Sequence, residues 1–111
     1  MLQILGPITV PVAGIPVSVV ASLPALTRHL KVYAALFQAL PANGGKVYIG
    51  LPTLDRASLA GVAAVLPVPT ANFLPSFGIS LTIAPAGVDL ATLYLDVDVN
   101  GNGALLTLLV T

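Results

Sequence analysis

Leu93-Tyr94-Leu95-Asp96-Val97-Asp98-Val99-Asn100-Gly101-Asn102-Gly103 alternates aliphatic and polar residues for seven positions and then breaks on two Asn-Gly pairs. A period of two puts Leu93, Leu95, Val97 and Val99 on one face and Tyr94, Asp96 and Asp98 on the other, as a half-buried strand requires. Asn and Gly tolerate positive φ, so the chain is expected to reverse here into a second run over Ala104 to Val110. Working outward, Phe77, Ile79, Leu81 and Ile83 alternate with Gly78, Ser80 and Thr82 in the same way. Lys46 to Gly50 is a short β-like run, and Val62 to Val68 reads as a buried strand ending at Pro67 and Pro69.

Residues 26–40 carry two patterns. Leu26, Leu30, Tyr33, Phe37 and Leu40 fall at helical spacing between Pro24 and Pro41. A strand instead sets Leu30, Val32, Ala34 and Leu36 against Lys31, Tyr33, Ala35 and Phe37. The turn Pro41-Ala42-Asn43-Gly44-Gly45 followed by a β-run favours the strand, closed as a hairpin. Six to eight short strands separated by Gly/Pro turns predict an all-β chain, a small antiparallel sandwich or barrel.

Residues 1–24 differ, because Pro7, Pro11, Pro16 and Pro24 exclude a helix and leave an extended arm or an edge strand. Residues 25–111 are then a single β-domain. Ile8, Val10, Val12, Ile15, Val17 and Val19 are the candidate interface residues of this Pro-rich N-terminal arm. Either the arm lies on a neighbouring subunit, or it forms an edge strand within its own.

The 111 residues are 57% hydrophobic and 7% charged, with four Lys+Arg, four Asp, no Glu and no Cys. Zero net charge removes the electrostatic drive for nucleic-acid binding and for polybasic membrane contact. Disulfides and thiolate metal sites are impossible. Mean hydropathy is in the range of membrane proteins, yet a spanning helix needs about 20 consecutive apolar residues. Ile8 to Leu23 is cut by Pro11, Gly14 and Pro16, and Ala57 to Val68 meets Pro67. The first residues lack the positive n-region of a signal peptide, so a chain used without export by that route is expected. A folded monomer of this size exposes roughly 5,700 Å². Only Arg28, Lys31, Lys46, Asp55, Arg56, Asp89, Asp96 and Asp98 are there to charge it. Much of the exterior is therefore expected to be buried against copies of the chain or a partner.

The motifs that carry chemistry are incomplete. Asp96-Val97-Asp98-Val99-Asn100-Gly101 matches the first half of a calcium loop, but its twelfth position is Thr107 in place of a bidentate Glu, and its flanks read as strands. His29 is the only histidine and stands beside Arg28 and Lys31. Gly78-Ile79-Ser80-Leu81-Thr82 lacks the closing Gly of a nucleophile elbow. Asp96 and Asp98 share a strand face with no partner acid, and Gly101-Asn102-Gly103 has no Lys-Ser/Thr pair after it. These readings predict no enzyme and assign no catalytic, metal or cofactor residue. The competing class is a small calcium-assisted carbohydrate- or ligand-binding module using the loops Asn43 to Lys46 and Asp96 to Gly103.

Ala39-Leu40-Pro41-Ala42-Asn43-Gly44-Gly45-Lys46-Val47-Tyr48-Ile49-Gly50, joined to Asp89-Leu90-Ala91-Thr92-Leu93-Tyr94-Leu95-Asp96-Val97-Asp98-Val99-Asn100-Gly101-Asn102-Gly103, resembles small virion proteins of tailed bacteriophages. In that pattern an A-L-P-x-N-x-G turn leads to a V-Y-I-G strand, and a D-x-D-x-[ND]-G strand end closes it. The likeness covers roughly the last two thirds of the chain, and Arg56 to Pro75 departs from it in being longer and apolar. It implies a small β-barrel or jelly-roll-like domain with a structural role in the phage head. The implied role is a capsid decoration protein, made in the host cytoplasm, a homotrimer that also contacts the major capsid protein or another virion protein.

Overall fold

The computed structural model describes residues 2–19, 32–80 and 90–110. Among these residues eight strands follow one another: β1 (Leu2–Thr9), β2 (Val17–Ser18), β3 (Val32–Ala39), β4 (Val47–Asp55), β5 (Ala60–Leu66), β6 (Ser76–Ser80), β7 (Tyr94–Val97) and β8 (Gly103–Val110). A 3-10 turn, Leu90–Thr92, precedes β7. The strands build two four-stranded antiparallel sheets, β1-β8-β3-β6 and β2-β7-β4-β5. First pairs with last and second with seventh, and the nesting continues inward to β4 with β5. That nested order is the jelly roll, a long antiparallel ribbon rolled into two facing sheets.

One core lies between the sheets. Phe37, Leu106 and Leu108 of the first sheet and Val47, Ile49, Leu95 and Val97 of the second are all fully buried. The helical spacing within 26–40 is overridden because β3 is central in its sheet, bonded to β6 on one side and β8 on the other.

 Ala35, Phe37 and Ala39 point into the sandwich and are buried, while Leu36 between them faces out. Val32 is buried as well, because the register shifts between Val32 and Ala34 and changes which face the residues before the shift present.

Several expectations are corrected by this topology. β3 and β4 do not form a hairpin: they belong to different sheets, and residues 40–46 cross between them. β7 and β8 are likewise split, so Asn100 to Gly103 is a corner between layers. β8 pairs with β1 and β3 instead of β7, and it can approach β1 because position 103 is Gly, where any side chain would collide with the Ile8 carbonyl. Val99 lies beyond the end of β7 and is exposed, because the strand stops at Val97. The run beginning at Val62 is not a buried strand. β5 is the edge of its sheet, and within it only Leu66 is buried.

The N-terminal segment takes the edge-strand arrangement within its own chain. β1 borders β8 and β2 borders β7, so the segment runs from one sheet to the other. Leu81 and Ile83, expected to continue β6, lie outside the described residues, as do residues 20–31.

The two faces of β3 make a direct test. Phe37→Ala should cost about 3–5 kcal/mol through the cavity it leaves, whereas Leu36→Ala should change stability by less than about 1 kcal/mol. Urea unfolding of the two variants measures both, and equal losses would contradict the inward and outward assignment.

Candidate functional site

The most polar part of the described structure is the corner where β7 leaves the second sheet. Asp96 is on the outward face of β7, yet it is only 1% exposed, because residues 13–14 and Arg56 lie over it. Its Oδ1 accepts the N–H of Gly14 at 2.9 Å and that of Val97 at 2.8 Å. Its Oδ2 faces Arg56 Nε at 3.9 Å, an ion pair without a hydrogen bond. Arg56 follows β4 directly, and its Nη1 donates to the Val97 carbonyl at 3.2 Å and to Asp98 Oδ1 at 3.1 Å. Tyr48, from the middle of the second sheet, donates its hydroxyl to the same Asp98 carboxylate at 3.1 Å.

The asparagines extend this network in the other direction. Asn100 Oδ1 accepts the N–H of Ala13 at 2.8 Å. Asn102 Oδ1 accepts from Gly44 at 2.9 Å and Gly45 at 3.2 Å. Asn43 is buried and exchanges two bonds with Gly103: its Nδ2 donates to the Gly103 carbonyl at 2.8 Å, and the Gly103 N–H donates to its Oδ1 at 3.1 Å. Residues 96–103 therefore hold residues 10–14 and 43–45, Tyr48 and Arg56.

This arrangement decides what the half calcium loop does. Asp96, Asn100 and Asn102 turn to separate backbone N–H groups, Asp98 accepts from the Tyr48 hydroxyl and from Arg56, and the guanidinium pairs with both carboxylates. Among the described residues no three His, Cys, Asp or Glu side chains converge. The chemistry of the cluster is hydrogen bonding and charge pairing that closes the corner. Tyr48 titrates above the usual tyrosine value of 10.0, first because it is buried and then because it donates to the negative Asp98; Arg56 opposes this weakly. Asp55, in the adjoining turn, is held below the usual aspartate value by the N–H of Ala57 and the hydroxyl of Ser58.

The six candidate interface residues separate into groups. Ile8, Val10 and Val19 are buried in the chain's own core, and Val17 packs half-buried against it. Val12 and Ile15 are exposed, at the loop that Asp96 and Asn100 hold down. His29, Arg28, Lys31 and Asp89 lie outside the described residues. Sequence reading did not anticipate that Arg56 and Tyr48 meet Asp98, because 42 and 50 positions separate them from it. The repeated Asn-Gly pairs at 43–44 and 102–103 were a usable signal for the corner, since each marks a tight backbone bend. The two stretches quoted for the virion resemblance adjoin in space, with Val47 opposite Val97 and Asn43 on Gly103. No model of a known protein family, no curated protein and no solved structure matches the chain.

Removing the Asp96 carboxylate strands two backbone donors and leaves Arg56 without one of its partners. Asp96→Ala should cost about 3 kcal/mol, and Arg56→Ala, whose side chain is one-third exposed, no more than about 1 kcal/mol. Thermal or urea unfolding of both variants checks the order, which a purely superficial cluster would not produce.

The folded chain holds the Tyr48 proton more tightly than the unfolded chain. The stability this confers is present below about pH 10 and is lost as pH rises through the elevated folded value. The melting temperature of the wild type should therefore fall more steeply above pH 10 than that of Tyr48→Phe. Parallel slopes for the two proteins would contradict the assignment.

Proposed function

We propose that this chain is a non-enzymatic structural subunit of a bacteriophage head, a capsid decoration protein that binds copies of itself and the major capsid protein. The observation that carries the reading is the distribution of charge. None of the residues of β1, β3, β6 and β8 is Asp, Lys, Arg or His. The outer face of that sheet presents Leu36 and Leu109, each 43% exposed, around a shallow hollow of about 390 Å³ shared with Ala34, Gly78 and Thr107. Every described charge lies in or next to β4 and β7 of the other sheet.

A sheet face that is neutral and partly aliphatic has little cost of desolvation, so covering it is favourable. The polar cluster, by contrast, is spent on internal bonds, which fits a subunit that works by contact. The jelly roll is compatible with this role and is also used by lectins and cupins, so the argument rests on the surface and on the resemblance in sequence.

Quantitative mass spectrometry of gradient-purified particles should find the chain in many copies per particle. Leu36→Lys combined with Leu109→Lys should abolish incorporation while leaving the melting temperature within a few degrees of the wild type. Absence of the chain from the particles, or full occupancy by the double variant, would overturn the reading.

A further inference from the structure

We infer that β6 is a docking edge for a second copy of this chain, which pairs with it as an antiparallel strand about a two-fold axis at Gly78. The four sheet edges differ in how they are defended. β1 carries a register shift between Ile4 and Gly6 and contains Pro7. β2 is two residues long and follows Pro16. β5 has register shifts against β4, and Gly61 within it has a φ of 70°. Bulges, prolines and very short strands are devices that stop edges from pairing. β6 is the least defended: Pro75 precedes it, but its backbone faces β3, the register with β3 is unbroken from Ser76 to Ser80, and the strand contains no proline and no charge.

The hydrogen bonds of β6 specify what fits. Ala39 N–H donates to the Pro75 carbonyl at 2.8 Å. In an antiparallel ladder the bonding direction alternates, so residues 75, 77 and 79 face β3 and residues 76, 78 and 80 turn N–H and C=O to the open edge. No strand pairs with that edge among the described residues. An extended strand is the partner chemistry that satisfies such a row.

The same strand from a second copy matches it in register. Centred on Gly78, Ser76 faces Ser80 of the other copy and Gly78 faces its own counterpart, and each of these outward positions bonds its opposite number. The intervening position places Phe77 against the other copy's Ile79 in a non-bonded pair, where side chains approach most closely. Phe77 and Ile79 are the two core-facing side chains of β6, and in the single chain both are only partly buried against the core. Self-pairing completes their burial and brings no like charges together, and it closes as an isologous contact. This contact belongs to the chain by itself, so it stands or falls separately from the particle reading.

Two variants test it. Gly78→Lys fits the single subunit, since a Cβ there meets only Leu36 Cδ1 at 3.8 Å and the carbonyl of Ala35 at 3.9 Å. Across the axis it sets two cations opposite each other, and sedimentation equilibrium should show dimer dissociation raised by about tenfold or more. Gly78→Cys places two thiols on backbones about 5.5 Å apart across a bonded pair, within disulfide reach. Mild oxidation should yield a covalent dimer from this variant and none from Ala57→Cys, with circular dichroism confirming that each variant folds. A monomeric wild type, an unchanged dimer with Gly78→Lys, or no cross-link above the Ala57→Cys control would overturn the inference.

Discussion

The reciprocal pair of hydrogen bonds between the Asn43 side chain and the backbone of Gly103 is the contact on which the two-layer arrangement turns. It fastens the crossing from β3 to β4 onto the crossing from β7 to β8. Those are two of the four crossings at this end of the sandwich, the others being β1 to β2 and β5 to β6. A buried amide with both its oxygen and its nitrogen used has no reason to move, and its loss would leave buried backbone groups unpaired. Asn102, held by Gly44 and Gly45, repeats the device one residue away. The core can then close between the sheets with Val10 and Val97 fully buried near the corner.

Charge in this molecule follows the same division. Asp96, Asp98 and Arg56 are used to press residues 13–14 and the β4–β5 turn onto the second sheet. A carboxylate that accepts two backbone N–H groups while facing a guanidinium is well compensated although buried, which is the condition for keeping it there. The consequence falls on the opposite side of the sandwich. Among the described residues the ionic groups gather around β4 and β7, and the strands of the first sheet carry none. The neutral face and the undefended edge are different kinds of surface, one of side chains and one of backbone groups, and both lie on the same sheet.

How far the residues alone could lead is clearest at β7 and β3. The alternation from Leu93 to Val97 placed Leu95 and Val97 inward and Asp96 outward correctly, because side-chain direction in a strand depends only on local backbone geometry. The same logic could not tell that outward-facing Asp96 would be buried, since its cover comes from residues 82 positions away. In β3 the local signal was divided between helix and strand. Pairing on both sides decided it, and the shift after Val32 altered the facing pattern. The Asn-Gly turns were legible as bends, but not as corners between sheets, because a turn sequence specifies a change of direction and not the layer into which the next strand goes.

The sequence by itself determined that the chain is made of short strands, that its formal net charge is zero, and that its calcium-loop and nucleophile-elbow patterns are incomplete. These follow from composition and period-two patterning, which are properties of neighbouring residues. Only the tertiary structure decided the jelly-roll order, the enclosure of Asp96 with Arg56 and Tyr48, and the contrast between a charged sheet and a neutral one. Those depend on which distant strands lie side by side, and that choice is made by the collective packing of one core, to which no single segment holds the key.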